Sequence, residues 1–447
     1  MHYRTLIKNA TLVNEERQYV GALVIVDDRI EEILEGADRQ PEIPCDTVID
    51  ATGCYLIPGV IDTHVHFRDP GLTHKGDMDT ESRAAVAGGV TTVFDMPNVV
   101  PQTTDRARWN ERLQLATGKM HTNFGLYMGA TPDNGHELRH MRHGDVCGIK
   151  LFMGSSTGGM LVDAEEHIRR IFEQAKVPVV AHCEDDILIK RNMKHAIERY
   201  GEGCVPVGEH PAIRSAEACL RSTKKCVALA EETGVRLHVA HISTAEELDL
   251  FRPDDPRITA EACVGHLLFC DEDYARLGTR IKVNPAVKTR ADRDALRAAL
   301  NDGRIYTVGT DHAPHLLAEK KGGAQAASGM PMIQFALPAM LDLVDEGVLS
   351  IERLVRLMCH NPARLFHIEN RGYLREGYKA DITVLRPRSP WTLTPNRILS
   401  RCNWSPLEGH VFHWRVDQTY VNGRLLFNRG HIMDERTLGQ AVTFIGR

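Results

Sequence analysis

Eight short apolar runs, spaced through the middle of the chain and separated by amphipathic stretches, restrict the fold more than any other feature of this sequence. They read "GVIDTHVH", "TTVFDMPN", "NFGLYMGA", "VCGIKLFM", "VPVVAHCED", "RLHVAHIS", "RITAEACVGHLLF" and "RIYTVGTDHAPH". Helical segments such as "SAEACLRSTKKCVALAEETG" and "RDALRAALNDG" lie between them. Alternating β and α segments require a parallel sheet with helices on its faces. Eight such units predict a closed barrel. An open doubly wound sheet is the alternative, but no GxGxxG turn follows the first run, which removes the nucleotide-binding version of it.

The two ends have another texture. Residues 1–57 and 370–447 read as short alternating strands, with turns at Asp27-Asp28 and Asn422-Gly423. Neither end alone has enough strands to bury a core, whereas pairing them allows both to bury their apolar faces. The expected fold class is therefore α/β: a (β/α)8 TIM-type barrel over residues 58–369, inserted into a small β-sandwich domain built from both chain ends. A chain of 447 residues, 43% hydrophobic, is long enough to bury cores of that size.

Composition excludes several classes of partner. Lys+Arg total 54 against Asp+Glu 60, a net charge of -6, and no basic block is present, so no nucleic-acid partner is expected. No apolar stretch reaches membrane-spanning length and the first residues lack a leader pattern, so the expectation is a cytoplasmic protein without a membrane partner. Eleven cysteines, an odd number without a CxxC pair, read as reduced thiols rather than a disulfide framework.

Polar residues inside the apolar runs point to chemistry. His64 and His66 are two apart on a strand and so share one side, which in a barrel is the interior. Alone, such a pair can be two hydrogen-bonded core histidines. Yet His182 and His241 stand near the C-terminal ends of two later runs, and Asp311 at the end of the last. Active sites of barrel enzymes occupy that rim, and imidazole with carboxylate suits zinc and its divalent neighbours. In "CGIKLFMG", Lys150 alternates with Ile149 and Leu151. It either snorkels outward or points into the barrel, where burial would favour a neutral amine able to capture carbon dioxide as a carbamate.

The motifs "HVHFRDPG", "DMPN", "GIKLF", "AHCED", "AHIS", "KVNPAV" and "GTDHAPHLLAEK" resemble those of the amidohydrolase superfamily, its cyclic amidases, and most of all the dihydroorotase branch. "LREGYKADITVL" and "SPLEGHVFHWRVDQTYVNG" extend the resemblance to the C-terminal region. It implies two divalent metal ions, zinc foremost, with His64, His66 and Asp311 on one, His182 and His241 on the other, and N6-carboxylated Lys150 bridging them. It further implies Asp311 as general acid and base in the reversible hydrolysis of dihydroorotate to N-carbamoyl-L-aspartate, a step of pyrimidine synthesis.

Substrate contacts implied by the resemblance are Arg68, Asn98 and His315 on a carboxylate, and Asn284 and Gly329 on the ring. A guanidinium fork suits a carboxylate that does not react. The loop "MGSSTGGM" after Lys150 is a lid candidate through Ser156 or Thr157, with a plain βα turn as its alternative. Three features depart from the branch: Thr63, the segment "MPMIQ" (Met330 to Gln334), and Gly265 where a histidine pair is common. Dihydropyrimidinase, hydantoinase or allantoinase activity is the alternative within the superfamily, although Arg68 is not part of their pattern. A non-catalytic scaffold for a pyrimidine-pathway partner would be expected to have lost ligands, and all six positions are filled. The expected partner is thus a small-molecule substrate, with a homodimer compatible with the sequence.

Overall fold

The computed structural model describes residues 3–142, 144–154, 160–253, 255–434, 436 and 439–445. The chain opens with β1 (Arg4–Asn14), β2 (Arg17–Val26), β3 (Arg29–Glu35), β4 (Thr47–Asp50) and β5 (Tyr55–Pro58). Next come the barrel strands: β6 (Val60–Val65), β7 (Val90–Asp95), β8 (Asn123–Leu126), β9 (Met128–Gly129), β10 (Ile149–Phe152), β11 (Val179–His182), β12 (Leu237–Val239), β13 (Ile258–Cys263) and β14 (Ile305–Gly309). The last strands are β15 (Ile382–Arg386), β16 (Trp391–Thr392), β17 (Val411–Phe412), β18 (Arg415–Val421), β19 (Arg424–Asn428) and β20 (His431–Ile432).

β6 to β8 form one parallel sheet and β9 to β14 another. β8 and β9 are two halves of a single run interrupted at Tyr127, whose hydroxyl donates to the Thr63 carbonyl (3.0 Å). The other seam closes through a parallel bridge between Val65 and His312, with the His66 amide donating to the His312 carbonyl (2.8 Å). The result is an eight-run parallel barrel. Outward-facing Ile149, Leu151, Val179, Ala181 and Val239 join the core beneath the helices, as period-two alternation requires. The interior below the site is filled by Phe94, Tyr127 and Phe366, with ring centroids 5.0 to 6.2 Å apart.

Local chemistry sets the helix ends. Helix Arg290–Asp302 starts in a capping box in which Thr289 and Asp292 bond each other's backbone amides, and it stops at Gly303. Helix Ala216–Thr233 is capped by Ser215 and stops at Gly234 in the left-handed region. "RITAEACVGHLLF" divides into β13 and the short helix Val264–Leu268.

Both chain ends share one nine-stranded sheet in the order β20-β19-β18-β15-β5-β1-β2-β3, with β4 also on β1. A bulge between Ile7 and Ala10, with Asn9 at φ 62°, bends β1 so that its first half pairs β4 and its second half β5. The strands expected to stack as a sandwich thus run through one continuous sheet folded over Ile7, Leu12, Leu23, Ile25, Leu56 and Ile382. Beyond β20 the chain returns to the barrel. The Phe124 amide donates to the Gln440 carbonyl (2.9 Å) and the Val442 amide to the Phe124 carbonyl (2.9 Å). That segment lies along β8, and Phe444 packs on Phe94 with ring centroids 6.0 Å apart.

Candidate active site

β6 carries His64 and leads into His66, β10 carries Lys150, and β11 ends on His182. His241 and Asp311 lie two residues past the ends of β12 and β14. All six line one small cavity of about 50 Å³ at the C-terminal mouth of the barrel, together with Arg68, Asn98, Asn284 and Gly329. Arg68, His241 and Asp311 have φ of 65°, 40° and 46°. Non-glycine residues rarely adopt this left-handed region, and here it turns the chain inward just past a strand end.

Buried hydrogen bonds set the histidine tautomers. His64 donates from Nδ1 to Glu261 Oε1 (2.7 Å), leaving Nε2 3.4 Å from Asp311 Oδ1. His66 donates from Nδ1 to Asn98 Oδ1 (2.8 Å), leaving Nε2 3.1 Å from the same oxygen. His182 donates from Nε2 to Glu184 Oε2 (2.8 Å), and its Nδ1 faces His241 Nε2 at 3.0 Å. Glu184 is also bonded by Arg214. Each imidazole held from behind by an acceptor aims a lone pair into the cavity, the arrangement that orients metal ligands. Ligand atoms of His64, His66 and Asp311 lie within 4.8 Å of one another.

Protonation follows from burial. Burial pushes His66 down to about 4, His182 below the ordinary imidazole value and His241 well below it, so all three are neutral at pH 7. Burial alone would raise Asp311. His64, His66 and Lys150 outweigh it and hold the carboxyl below the usual range. Glu261 is kept at about 2 in the same way, by His64, His238 and Lys150 against burial.

Lys150 is fully buried, and its Nζ has no hydrogen-bond partner among the described residues. Burial lowers its pKa to about 8. A buried amine without an acceptor is costly as an ammonium, so the site fits a group that consumes the amine. His241 Nδ1 and Asn284 Oδ1 are likewise unpartnered.

Arg68 lines the cavity, is 4% exposed, and has no carboxylate within ion-pair distance among the described residues. Its Nε donates to the Pro314 carbonyl (3.1 Å) and its Nη2 to His315 Nε2 (3.0 Å). His315, expected on the substrate, is not among the residues on the cavity wall; it stands behind Arg68 and Gly329, with Lys75 Nζ 3.2 Å from its Nδ1. Gly329 is on the wall with φ 149°, and a Cβ there would meet the Ala313 carbonyl oxygen at 2.4 Å, so the position takes no side chain. Ser156 and Thr157 lie outside the described residues.

Two of the departures from the cyclic amidase motifs coincide in space. A Cβ on Gly265 would meet the terminal methyl of Met330 at 2.4 Å, so the methionine occupies the room a larger residue at 265 would need. Glu261 and Glu184 were not singled out in the sequence. Glu261 had a signal, a lone acid inside the apolar strand "ITAEAC".

The chain matches the amidohydrolase family over residues 55–426. A dihydroorotase of Methanosarcina mazei is 34% identical over 419 residues, 90% of each chain. An allantoinase of Bacillus velezensis is 30% identical, covering 96% of this chain and 95% of its own. Among solved structures, the L-hydantoinase (dihydropyrimidinase) of Arthrobacter aurescens superimposes with a TM-score of 0.92 at 27% identity, over 99% of this chain and 100% of that one.

Proposed function

The chain belongs to the amidohydrolase family, and from that premise we propose that it is a dihydroorotase. It opens the cyclic amide of (S)-dihydroorotate to N-carbamoyl-L-aspartate, and closes it again in de novo pyrimidine synthesis in the cytoplasm. Relatives named dihydroorotase, 30 to 34% identical over most of the chain, support the reading. The observation that carries it is Arg68. A buried guanidinium without a carboxylate partner costs several kcal/mol of desolvation. A substrate carboxylate in the cavity would offset that cost through a two-pronged hydrogen bond.

The donor set fits a binuclear metal centre, because His64 and His66 face an ionised Asp311, His182 faces His241, and the buried Lys150 amine lies on the same cavity without a hydrogen-bond partner among the described residues. His64, His66 and Asp311 would hold one divalent cation, His182 and His241 a second, and N6-carboxylated Lys150 both, zinc being the metal that imidazole and carboxylate favour. Such cations polarise an amide carbonyl and acidify water to near neutral pH.

This chain's own residues do the rest. Asp311, kept ionised by its neighbours, is the base that takes a proton from the attacking water and returns it to the ring nitrogen. Glu261, Asn98 and Glu184 hold three imidazoles in fixed orientations. Arg68, with Asn98 beside it, seats the carboxylate, and His315 steadies Arg68 from behind. Asn284 and the Gly329 backbone meet the ring amide, a reading supported by their place on the cavity wall and by an Asn284 Oδ1 that is buried without a partner among the described residues.

Hydantoinase or allantoinase activity is the second reading, favoured by the Arthrobacter aurescens superposition. A neutral ring would leave Arg68 unpaired. Metal analysis of the purified protein, with ring-opening assays on dihydroorotate, dihydrouracil, hydantoin and allantoin, tests the choice. Two metals per chain and turnover of dihydroorotate are expected; preferential turnover of a neutral ring would replace this reading with the second.

A further inference from the structure

Three buried cations, not one, stand near the same wall of the cavity without a carboxylate at ion-pair distance among the described residues. Lys282 and Lys320 are 5% and 3% exposed, and neither has a carboxylate within ion-pair distance among the described residues. Lys320 Nζ bonds the carbonyls of Lys282 (3.0 Å), Ala327 (2.8 Å) and Gly329 (2.8 Å). Three acceptors require three N–H donors, which only the ammonium form has. The geometry therefore fixes Lys320 as charged, although burial works against the charge. Lys282 Nζ bonds the Ala326 carbonyl (2.7 Å) and Ser328 Oγ (2.7 Å), and the Gly329 amide donates to the Lys282 carbonyl (2.9 Å).

Both ammonium groups thus grip the Ala326–Gly329 segment from behind, and Ser328 and Gly329 are its cavity face. The acids whose fields reach them are already matched. Glu184 is held by Arg214 and His182, and Glu319 by Lys75 (2.6 Å). The Trp404 ring, 5.8 Å from Lys320 Nζ, gives the charge some relief without neutralising it. Burial lowers Lys282 only to about 8, so it too is mostly an ammonium at neutral pH, and with Arg68 and Lys320 one wall of the cavity carries three buried positive charges in a medium where charges act over several ångströms with little screening.

We propose that Lys282 and Lys320 are specificity-determining residues which, one backbone layer behind the Ser328–Gly329 wall, make this cavity select a dicarboxylate over a monocarboxylate of the same shape. They touch no ligand; they act by their field and by holding Ser328 and Gly329 in place. The inference rests on the reading that this cavity is the substrate site, and it deepens that reading, because the ring-opened form carries one more carboxylate than the ring.

Succinate and its monoamide, succinamate, share a carbon skeleton, differ by one charge, and contain no ring for the enzyme to open. Calorimetric titration of the metal-loaded protein with each separates this proposal from the assignment of the reaction, since it needs no turnover. Wild type is expected to bind succinate about tenfold or more tighter than succinamate, and Lys320→Met and Lys282→Met to reduce that ratio to about twofold with metal content unchanged. Lys320→Arg, which keeps the charge, should keep the preference. Equal affinity of wild type for the two ligands overturns the proposal without using any variant, as does a preference that survives both methionine substitutions.

Discussion

At the scale of single residues, Arg68 and Lys150 are opposite answers to the same problem, a cationic side chain taken out of water. In the proposed function Arg68 keeps its charge for a substrate anion, and Lys150 is easier to bury once its amine has reacted. Arg68→Gln removes a charge-assisted pair worth about 2 to 3 kcal/mol, so kcat/KM for dihydroorotate should fall roughly 30- to 150-fold. Metal content by elemental analysis should stay the same. Lys150→Ala should cut both metal content and turnover to background, and added acetate or propionate should restore part of the turnover by supplying the missing carboxylate. Retention of both metals in that variant would remove Lys150 from the bridging role. His315 marks what residue-level reading does not reach. Its motif suggested direct contact with substrate, and the fold of the loop past Asp311 adds a bond to the Arg68 guanidinium that the motif does not show.

At the scale of elements, the strands deliver site residues by two means. His64, Lys150 and His182 are placed by β-alternation, which sequence alone reveals. Arg68, His241 and Asp311 are placed by left-handed turns past strand ends, a backbone choice invisible in the apolar pattern. The broken run around Tyr127 was equally hidden, because its apolar pattern is continuous while its hydrogen bonds change partners. That break leaves part of β8 to be covered by residues 440–442 from the far end of the chain. Phe444→Ala, which removes a partly buried ring from Phe94, should cost about 1 to 3 kcal/mol. Truncation after residue 438 should cost more than this. Urea unfolding followed by tryptophan fluorescence measures both, and an unchanged midpoint for the truncation would show that the segment does not brace the barrel.

At the scale of the whole molecule, buried histidines that are not on the cavity wall link stability to pH. His238 lies between Thr259 and Thr307 in the barrel interior, and His360 stacks on Tyr373 with ring centroids 4.4 Å apart. Burial lowers each to about 4 in the folded state, while an unfolded imidazole titrates near 6.5. The unfolded chain therefore binds these protons first. The stability their neutral forms contribute is complete above about pH 6.5 and is lost as pH falls towards 4, by roughly 2 kcal/mol per residue at pH 5. Urea midpoints at pH 7.5 and pH 5 should differ accordingly, with His360→Asn narrowing the gap. By itself the sequence determined the parallel barrel, the pairing of its two ends and the polar residues that meet at one rim, because periodicity, turn residues and motif spacing are local and survive in one dimension. Only the tertiary structure decided that Arg68, Lys282 and Lys320 have no carboxylate at ion-pair distance among the described residues, that Gly265 and Met330 share one volume, and that Glu261 and Glu184 stand behind their histidines. Charge compensation and packing depend on distances between residues far apart in the chain, and those exist only once the barrel has closed.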